Sequence, residues 1–511
     1  MSDGMRARLL SGFGRIVDAL ADSRRANRTA LMLIGGYVLV WWLYAVIAKS
    51  SQDIHFDMGE VAAWSLVPAF GYPKHPPFPG WVAAAWFAVF PRADWAFYLL
   101  ATVSIGVALW FVWLIAARYI EGPKRALALA MLTFSPGFNF QPLKFNSNAL
   151  LIPAWAAASY LFLRSFTQRT ALWGALAGAA AAIAMLTKYW SVFLILGFIV
   201  AALAHPRRLD YLRSPAPWAS VIVGALLMAP NIVSLVGYDF GPFRYATSSH
   251  GVATLRALMD SFSDYFGGVL YLAGGLAAVA IACRPGPATI RDMAWPREPD
   301  RRLMIVATAT SLFAPVALAL VLRTQLATLW TLPMWAMLPA ALLSSPRLMT
   351  TRDAAAGVLA AACAFPLIAL LAAPVVAIVV HRDGISNHAS HYRLIADAVD
   401  KAWRETTDKP LRVLGSDTNI GNGASFYLPS RPYALDIVDS SITPWAEAPL
   451  SAGAGAVFVC AEMEGACMAA LEARATRASV AKRSTVTISR SYLGVADAPV
   501  RYMIVIVPPA P

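Results

Sequence analysis

Long unbroken apolar runs dominate the first three quarters of the chain. Near residue 380 they give way to the shorter apolar–polar alternation of soluble domains. Runs close to the length that crosses a hydrocarbon core occur at about 30–49, 94–117, 125–141, 147–163, 171–187, 189–204, 217–236, 264–283, 303–322, 326–344 and 354–380. They predict an all-α polytopic bundle of about eleven transmembrane helices. Ahead of the first run, Leu9, Leu10, Phe13, Ile16, Val17 and Leu20 recur at helical spacing with arginines between them. That pattern suits an amphipathic helix on the membrane surface, with a frayed basic tail as the alternative. Beyond 380, helices expected at 389–405 and 464–477 alternate with strands at 411–415, 425–428, 456–460 and 503–507, with turns marked by Gly421, Gly423 and Pro432. This is the signature of a small α/β domain. The expected organisation is therefore a basic N-terminus (1–29), a transmembrane domain (30–380) with a long first loop at about 50–93, and a C-terminal domain (381–511).

Composition strengthens the membrane assignment: 58% of the 511 residues are hydrophobic and 14% charged, where soluble domains carry about 25% charge. The net charge of +13 would suit nucleic acid if it formed one patch, but the basic residues sort by loop. Arg6, Arg8, Arg15, Arg24, Arg25 and Arg28 precede the first run, and arginines recur in every second loop thereafter, through Arg347 and Arg352. The intervening loops hold far fewer cations, which is the positive-inside pattern. Basicity thus reports topology, and no nucleic-acid partner is expected. The N-terminus is placed inside, and an odd number of crossings places the C-terminal domain outside a plasma (inner) membrane. The first run is too long for a signal-peptide core and lacks a small-residue cleavage site, so it is expected to stay as an anchor. Cys283 and Cys363 fall in or beside apolar runs and read as small hydrophobes. Cys460 and Cys467 share the outer tail, where they form either a disulfide or two separate buried thiols.

Unusual polar residues gather in the long outer loops. Asp57 and Glu60, three apart, would share a face of a short helix. Carboxylates beside a low-dielectric region can abstract a proton or hold a metal ion, whereas a hydrated loop acid or a helix cap needs no chemistry. Tyr72, Lys74 and His75 lie in a stretch stiffened by Pro76 and Pro77, suited to shaping a loop or touching substrate. Lys144, Lys188 with Tyr189, Arg244 and Arg323 stand at the outer ends of runs. Such cations either snorkel to the interface or, if several converge, neutralise a lipid phosphate. Lys188 stands out because almost no loop separates the two runs it joins.

Together, an acid in the first loop, Trp64-Ser65, Gly71-Tyr72, His75-Pro76-Pro77, Trp81, Ser135-Pro136, the KFNSN stretch from Lys144, TKY from Thr187 and PFRYA from Pro242 resemble the membrane-embedded GT-C glycosyltransferases. The similarity runs over about 30–345 and is to those akin to dolichyl-phosphate-mannose protein mannosyltransferases and aminoarabinose transferases. It implies a polyprenyl-phosphate-linked sugar donor, a glycolipid, glycan or protein acceptor, and a first-loop acid as catalytic base, here Asp57. Many relatives have adjacent Asp and Glu, whereas Met58 follows Asp57 and the next acid is Glu60; the role of Glu60 and the use of a divalent cation stay open. On the residues alone, Asp57 would take the acceptor proton, and Lys188, helped by Arg244 or Lys144, would stabilise the leaving phosphate. The competing class is a transporter or flippase for a lipid-linked substrate, with ionisable residues lining a path. A third alternative is a membrane scaffold presenting the C-terminal domain.

The topology is tested by fusing reporters after Pro511. A reporter that works only outside the cytoplasm is expected to be active there, and activity from one that works only inside would overturn the orientation.

Overall fold

The computed structural model describes residues 3–252, 254–478 and 480–510, with side chains from residue 11 onward. Helix α1 (Asp3–Ala21) precedes the bundle. Its Val17 and Leu20 are fully buried, and Asp18 pairs with Arg352 at 2.8 Å. Part of its apolar face therefore packs on protein; Leu9 and Leu10 lie outside the described side chains. The bundle continues with α2 (Ala26–Ala48), α3 (Phe56–Trp64), α4 (Phe78–Phe87), α5 (Asp94–Tyr119), α6 (Lys124–Met131), α7 (Ser147–Gln168), α8 (Ala171–Thr187), α9 (Val192–Ala204) and α10 (Pro215–Gly237). After α11 (Gly241–His250) come α12 (Leu255–Gly267), α13 (Ala273–Cys283), α14 (Pro299–Leu322), α15 (Leu338–Leu343) and α16 (Arg352–Asp383).

Among the described residues, seven helices are long and apolar enough to cross a membrane: α2, α5, α7, α10, the continuous α12–α13 segment, α14 and α16. Helices α8 and α9 are shorter apolar helices. Two runs expected as crossings are instead broken. After α6 the chain passes through 3-10 turns at 132–134, 136–138 and 141–143, where Pro136 and Pro142 cannot donate to a helical ladder. Likewise 328–335 is a 3-10 segment containing Pro333, followed only by the short α15. Both stretches are largely buried, and irregular backbone is tolerated at apolar depth where protein covers it. Their hydropathy reflects burial among neighbouring helices.

The C-terminal part adds α17 (Tyr392–Arg404), α18 (Thr418–Tyr427) and α19 (Gly465–Ala475), with strands β1 (Val413–Ser416), β2 (Tyr433–Asp436), β3 (Ala456–Ala461), β4 (Lys482–Ile488), β5 (Ser491–Tyr492), β6 (Val495–Ala496) and β7 (Val500–Val507). The main sheet runs β2-β1-β3-β7-β4. Its first pairs are parallel and β7 is antiparallel to both neighbours. Alternate residues of the central strands feed opposite cores. Val457, Val459, Ile504 and Ile506 meet Ile395, Val399 and Ile420 from α17 and α18. Phe458, Cys460 and Val505 meet Leu471 and Ala475 from α19. A disulfide joins Cys460 on β3 to Cys467 on α19.

Residues 425–428, expected as a strand, are instead the end of α18 and its cap, and Gly421 and Gly423 lie inside that helix instead of marking turns. The helix starts because the Asp417 side chain accepts from the N–H groups of Asn419 and Ile420. Its glycines permit close packing. A Cβ on Gly423 would lie 2.4 Å from the buried Tyr392 ring, and one on Gly59 of α3 would lie 3.1 Å from the Gly423 nitrogen. Helices α3 and α18 thus touch backbone to backbone.

The contact is reinforced on both sides. Buried Asp53 accepts from the Arg393 N–H at 2.9 Å and binds the Arg490 guanidinium. Arg393 also reaches Asp94 at 2.9 Å, and the Ile54 N–H donates to the Tyr427 hydroxyl at 2.9 Å. The C-terminal fold is thereby fixed to the loop that carries α3.

Gly423→Val should overpack this junction, lowering stability by about 1–3 kcal/mol and exposing the C-terminal part to protease. Gly421→Ala is the control. Its Cβ would meet nothing nearer than 3.6 Å, so melting should stay level or rise, since Ala favours a helix interior by about 0.5–1 kcal/mol over Gly. Equal destabilisation by both, read by thermal melting and limited proteolysis, would contradict this packing.

Candidate functional site

Helix α3 begins at His55, whose Nδ1 accepts the Asp57 N–H at 3.2 Å. Burial pushes the His55 imidazole down to about 4, with Lys144 and Lys49 adding to the effect and Asp57 opposing it. His55 is therefore neutral at ordinary pH, and its 3.7 Å approach to the Asp57 carboxylate is no ion pair. The Asp57 side chain, 24% exposed, accepts instead from Asn146 Nδ2 at 2.7 Å. Asn146 cannot turn freely, because its Oδ1 caps α7 by accepting the Ala149 N–H at 2.9 Å. Capping the helix thus fixes the amide so that its NH₂ faces Asp57.

Glu60, one turn further on, does not share that environment. It binds Lys74 Nζ at 2.7 Å with both side chains largely buried. Burial pushes the Glu60 carboxyl up and Lys74 pulls it back. Burial opposes the Lys74 charge, but Glu60 and Tyr245 outweigh it and hold the ammonium above the ordinary lysine value. The pair is committed to itself.

Lys74 and Lys188 line a cavity of about 290 Å³. Val192 and Phe193 on α9, Phe243 on α11, and Pro315, Leu318 and Leu322 on α14 supply apolar walls. Lys188 donates to Asn148 Oδ1 at 2.7 Å and lies over the Trp330 ring at 5.2 Å. Burial pushes its ammonium down to about 8, and nearby Asp57 opposes that. One short stretch, residues 144–148, therefore holds both groups: Asn146 orients Asp57 and Asn148 orients Lys188. Neither asparagine was singled out from the sequence, although both lie in the KFNSN motif.

The other expected site residues divide. His75 lines the cavity, packs edge-on against Trp64 and Tyr245, and is kept neutral by burial, then by Lys74 and Lys188. Tyr189 also lines it, stacking on Phe243 and donating to Asn231 at 2.9 Å. Tyr72 shapes the loop, since its hydroxyl is spent on the Trp64 and Val67 carbonyls. Arg244 is exposed and paired with Asp239, and Arg323 is exposed at the end of α14. Neither lines the cavity, although Tyr245 and Leu322 beside them do. Lys144 faces a different cavity, with Lys49 and His55. His250, which sequence reasoning missed, lines the cavity of Lys74 and Lys188 with its ring edge on Trp330.

For a divalent cation, the first loop offers Asp57 and His55, while Glu60 is engaged by Lys74. Among the described residues no group of three or more His, Cys, Asp or Glu gathers as a metal cage. The residues present do not fit a resident cation, and no step is derived through one.

The architecture is a polytopic helical bundle with a C-terminal mixed sheet, a fold of the GT-C type. Among solved structures it is similar to ArnT from Cupriavidus metallidurans bound to undecaprenyl phosphate, with TM-score 0.61 and 15% identity, covering 93% of this chain and 97% of that one. It is similar also to the apo state of that protein, with TM-score 0.60, 13% identity and the same coverage. Residues 74–233 match the family model described as dolichyl-phosphate-mannose-protein mannosyltransferase. That segment contains Lys74, His75, the KFNSN stretch and Lys188, and stops short of Asp57 and PFRYA. No curated protein matches the chain.

Asn146→Asp separates orientation from folding. The new carboxylate still caps α7 but places a negative charge against Asp57 in place of a donor. Activity is expected to fall at least about tenfold, as a like charge displaces a hydrogen bond of ~1.5–3 kcal/mol to a charged group, with the melting temperature nearly unchanged. A variant with full activity would show that the Asn146 contact does not matter to Asp57.

Proposed function

We propose that this protein is an inverting glycosyltransferase that moves a sugar from a polyprenyl-phosphate donor to a hydroxyl on an envelope glycolipid, glycan or protein. The observation that carries this function is an apolar-walled cavity lined in part by Lys188, which is joined through residues 144–148 to an oriented carboxylate, Asp57. Apolar walls suit a prenyl tail, and a buried ammonium suits the phosphate at its end. The similar fold of ArnT with undecaprenyl phosphate bound supports the donor class.

The acceptor hydroxyl oxygen attacks the anomeric carbon while the bond from that carbon to the phosphate oxygen breaks. Asp57 takes the hydroxyl proton, and polyprenyl phosphate departs with the bonding electrons. Lys188 stabilises the charge that develops on the phosphate; among the described residues its polar partner is a neutral amide, so its charge is available. Lys74 is held by Glu60 and serves chiefly to fix the loop. The arginine distribution supports an outer-face site, with the N-terminus cytoplasmic and the C-terminal domain periplasmic or extracellular. A transporter or flippase would want ionisable groups along a path, whereas the lining of this cavity is mostly apolar.

Asp57→Asn should lower turnover by roughly 100- to 10,000-fold while leaving insertion, melting and donor binding near normal. Lys188→Met should weaken donor binding, by about 1.5–3 kcal/mol if one charge-assisted contact is lost. The assay is sugar transfer and donor binding by purified protein with polyprenyl-phosphate sugars. Normal transfer by Asp57→Asn would remove it as base, and a larger loss in Glu60→Gln with the fold intact would move that role to Glu60.

A further inference from the structure

The two-stranded sheet of β5 and β6 stands apart from the main sheet, and its tip is unusual. Ser491 pairs with Ala496 and Tyr492 with Val495, so Leu493 and Gly494 form a two-residue turn. Both have left-handed backbones, with φ of 50° and 81°, in a turn where Asn, Asp or Gly is usual. A bulky leucine there is an outlier, because its side chain crowds the backbone. Packing within the protein does not offset that cost, since the Leu493 side chain is 76% exposed. Val495 beside it is 41% exposed, and residues 492–496 carry no charge. A hairpin this short is also unstable by itself.

Its support comes from the ends of two helices long and apolar enough to cross a membrane. The Tyr492 hydroxyl lies 2.8 Å from that of Ser50, just past α2. His381 Nε2, in the last turn of α16, donates to the Val495 carbonyl at 2.9 Å. Exposed apolar side chains run almost to both contacts: Leu43 and Ile47 on α2, Val375 and Val379 on α16. Ile47 precedes Ser50, and Val379 precedes His381, by no more than about 4.5 Å of helical rise. The headgroup zone beyond the hydrocarbon is roughly 5–7 Å deep on each side, so both contacts hold the hairpin at that level. One further residue of strand adds about 3.3 Å, which brings Leu493 within reach of the acyl boundary.

We propose that the β5–β6 hairpin is a lipid-contacting finger, with Leu493 seated among the phospholipids of the membrane leaflet beside the C-terminal fold. An uncharged aliphatic tip backed by a tyrosine suits the boundary between headgroups and acyl chains. Two exposed apolar side chains are far too little for a stable protein interface, which buries about 800 Å² on each partner. The finger also bears on the first loop, because Arg490, immediately before β5, binds the buried Asp53. Lipid contact would thus hold the C-terminal fold, and through Asp53 the segment leading into α3, at a fixed level against the membrane. This assignment does not depend on the transfer function.

The test uses the full-length protein in phosphatidylcholine nanodiscs, carrying Cys283→Ala and Cys363→Ala so that a fluorescent dye reacts only with one introduced cysteine. The Cys460–Cys467 disulfide takes no label. The dye is placed beside the tip by Val495→Cys, or at a control site by Met463→Cys. Met463, before α19, is 75% exposed, as open as the hairpin tip. The Val495 dye should be quenched by phosphatidylcholine carrying a nitroxide near its headgroup, and shielded from aqueous iodide. The Met463 dye should show the opposite. Adding Leu493→Asn, which suits the turn but removes the apolar side chain, should abolish lipid quenching at Val495 and restore iodide access, with melting level or raised. Iodide access at Val495 equal to that at Met463 overturns the proposal. Shielding from both quenchers also overturns it, by assigning the tip to a protein partner. Lipid quenching that Leu493→Asn leaves unchanged overturns it too, by removing the leucine from the contact.

Discussion

Helix α3 has almost no freedom, and the arrangement of the site depends on that. Its Gly59 meets the Gly423 backbone of α18 so closely that a single added carbon would lie 3.1 Å from a peptide nitrogen. A nine-residue helix is too short to be stable alone in water, so its position must come from packing. Backbone contact supplies position along one face, Asn146 fixes the carboxylate on another, and the buried Asp53 with its two arginine partners fixes the segment leading into the helix. Breaking a buried ion pair is far more costly than never having formed one, so the Asp53 pairs favour one docked geometry over alternatives. The C-terminal fold thereby acts as the back wall of the first loop, whatever else it touches.

Charge placement follows from the same low-dielectric surroundings. Burial disfavours the ammonium of Lys49, Lys74 and Lys188, and each is handled differently. Lys74 is neutralised by Glu60. Lys188 has only an amide oxygen and a ring face, which keep it in place without cancelling its charge. Lys49 and Lys144 have each other, which worsens the balance. The degree of internal neutralisation ranks these cations as binders of an anion, and it ranks Lys74 last, although its neighbours Tyr72 and His75 gave it the most distinctive sequence context.

Much of this was legible in the sequence because it rests on local chemistry. Hydropathy located the long helices, and the near absence of a loop around Lys188 marked a cation that lines the cavity. What was illegible depends on direction. Arg244 and Tyr245 are adjacent, yet one points to Asp239 at the surface and the other into the cavity. Only the helix's rotation against its neighbours distinguishes them. The broken segments at 125–141 and 326–344 looked like crossings because burial in protein and burial in lipid select the same residues. The strand expected at 425–428 failed for a related reason: four apolar or small residues fit either period. The deciding signals were an Asp417 cap and glycines needed for contact, which resemble turn residues in one dimension.

Under the proposed function, the choice of base between the two acids rests on a contrast within one helix turn. Glu60 is the more buried acid, and burial is a usual route to a proton acceptor near neutrality. Its oxygen, however, holds an ammonium at 2.7 Å, so accepting a proton would cost that ion pair in a site that solvates neither charge well. Asp57 faces a neutral amide and keeps part of its surface open. Protonating it weakens one hydrogen bond and breaks no ion pair. The acid with the weaker internal partner is thus the one free to exchange a proton. The same rule underlies the proposed role of Lys188, whose partner is also a neutral amide, and residues 144–148 hold that acid and that cation in register.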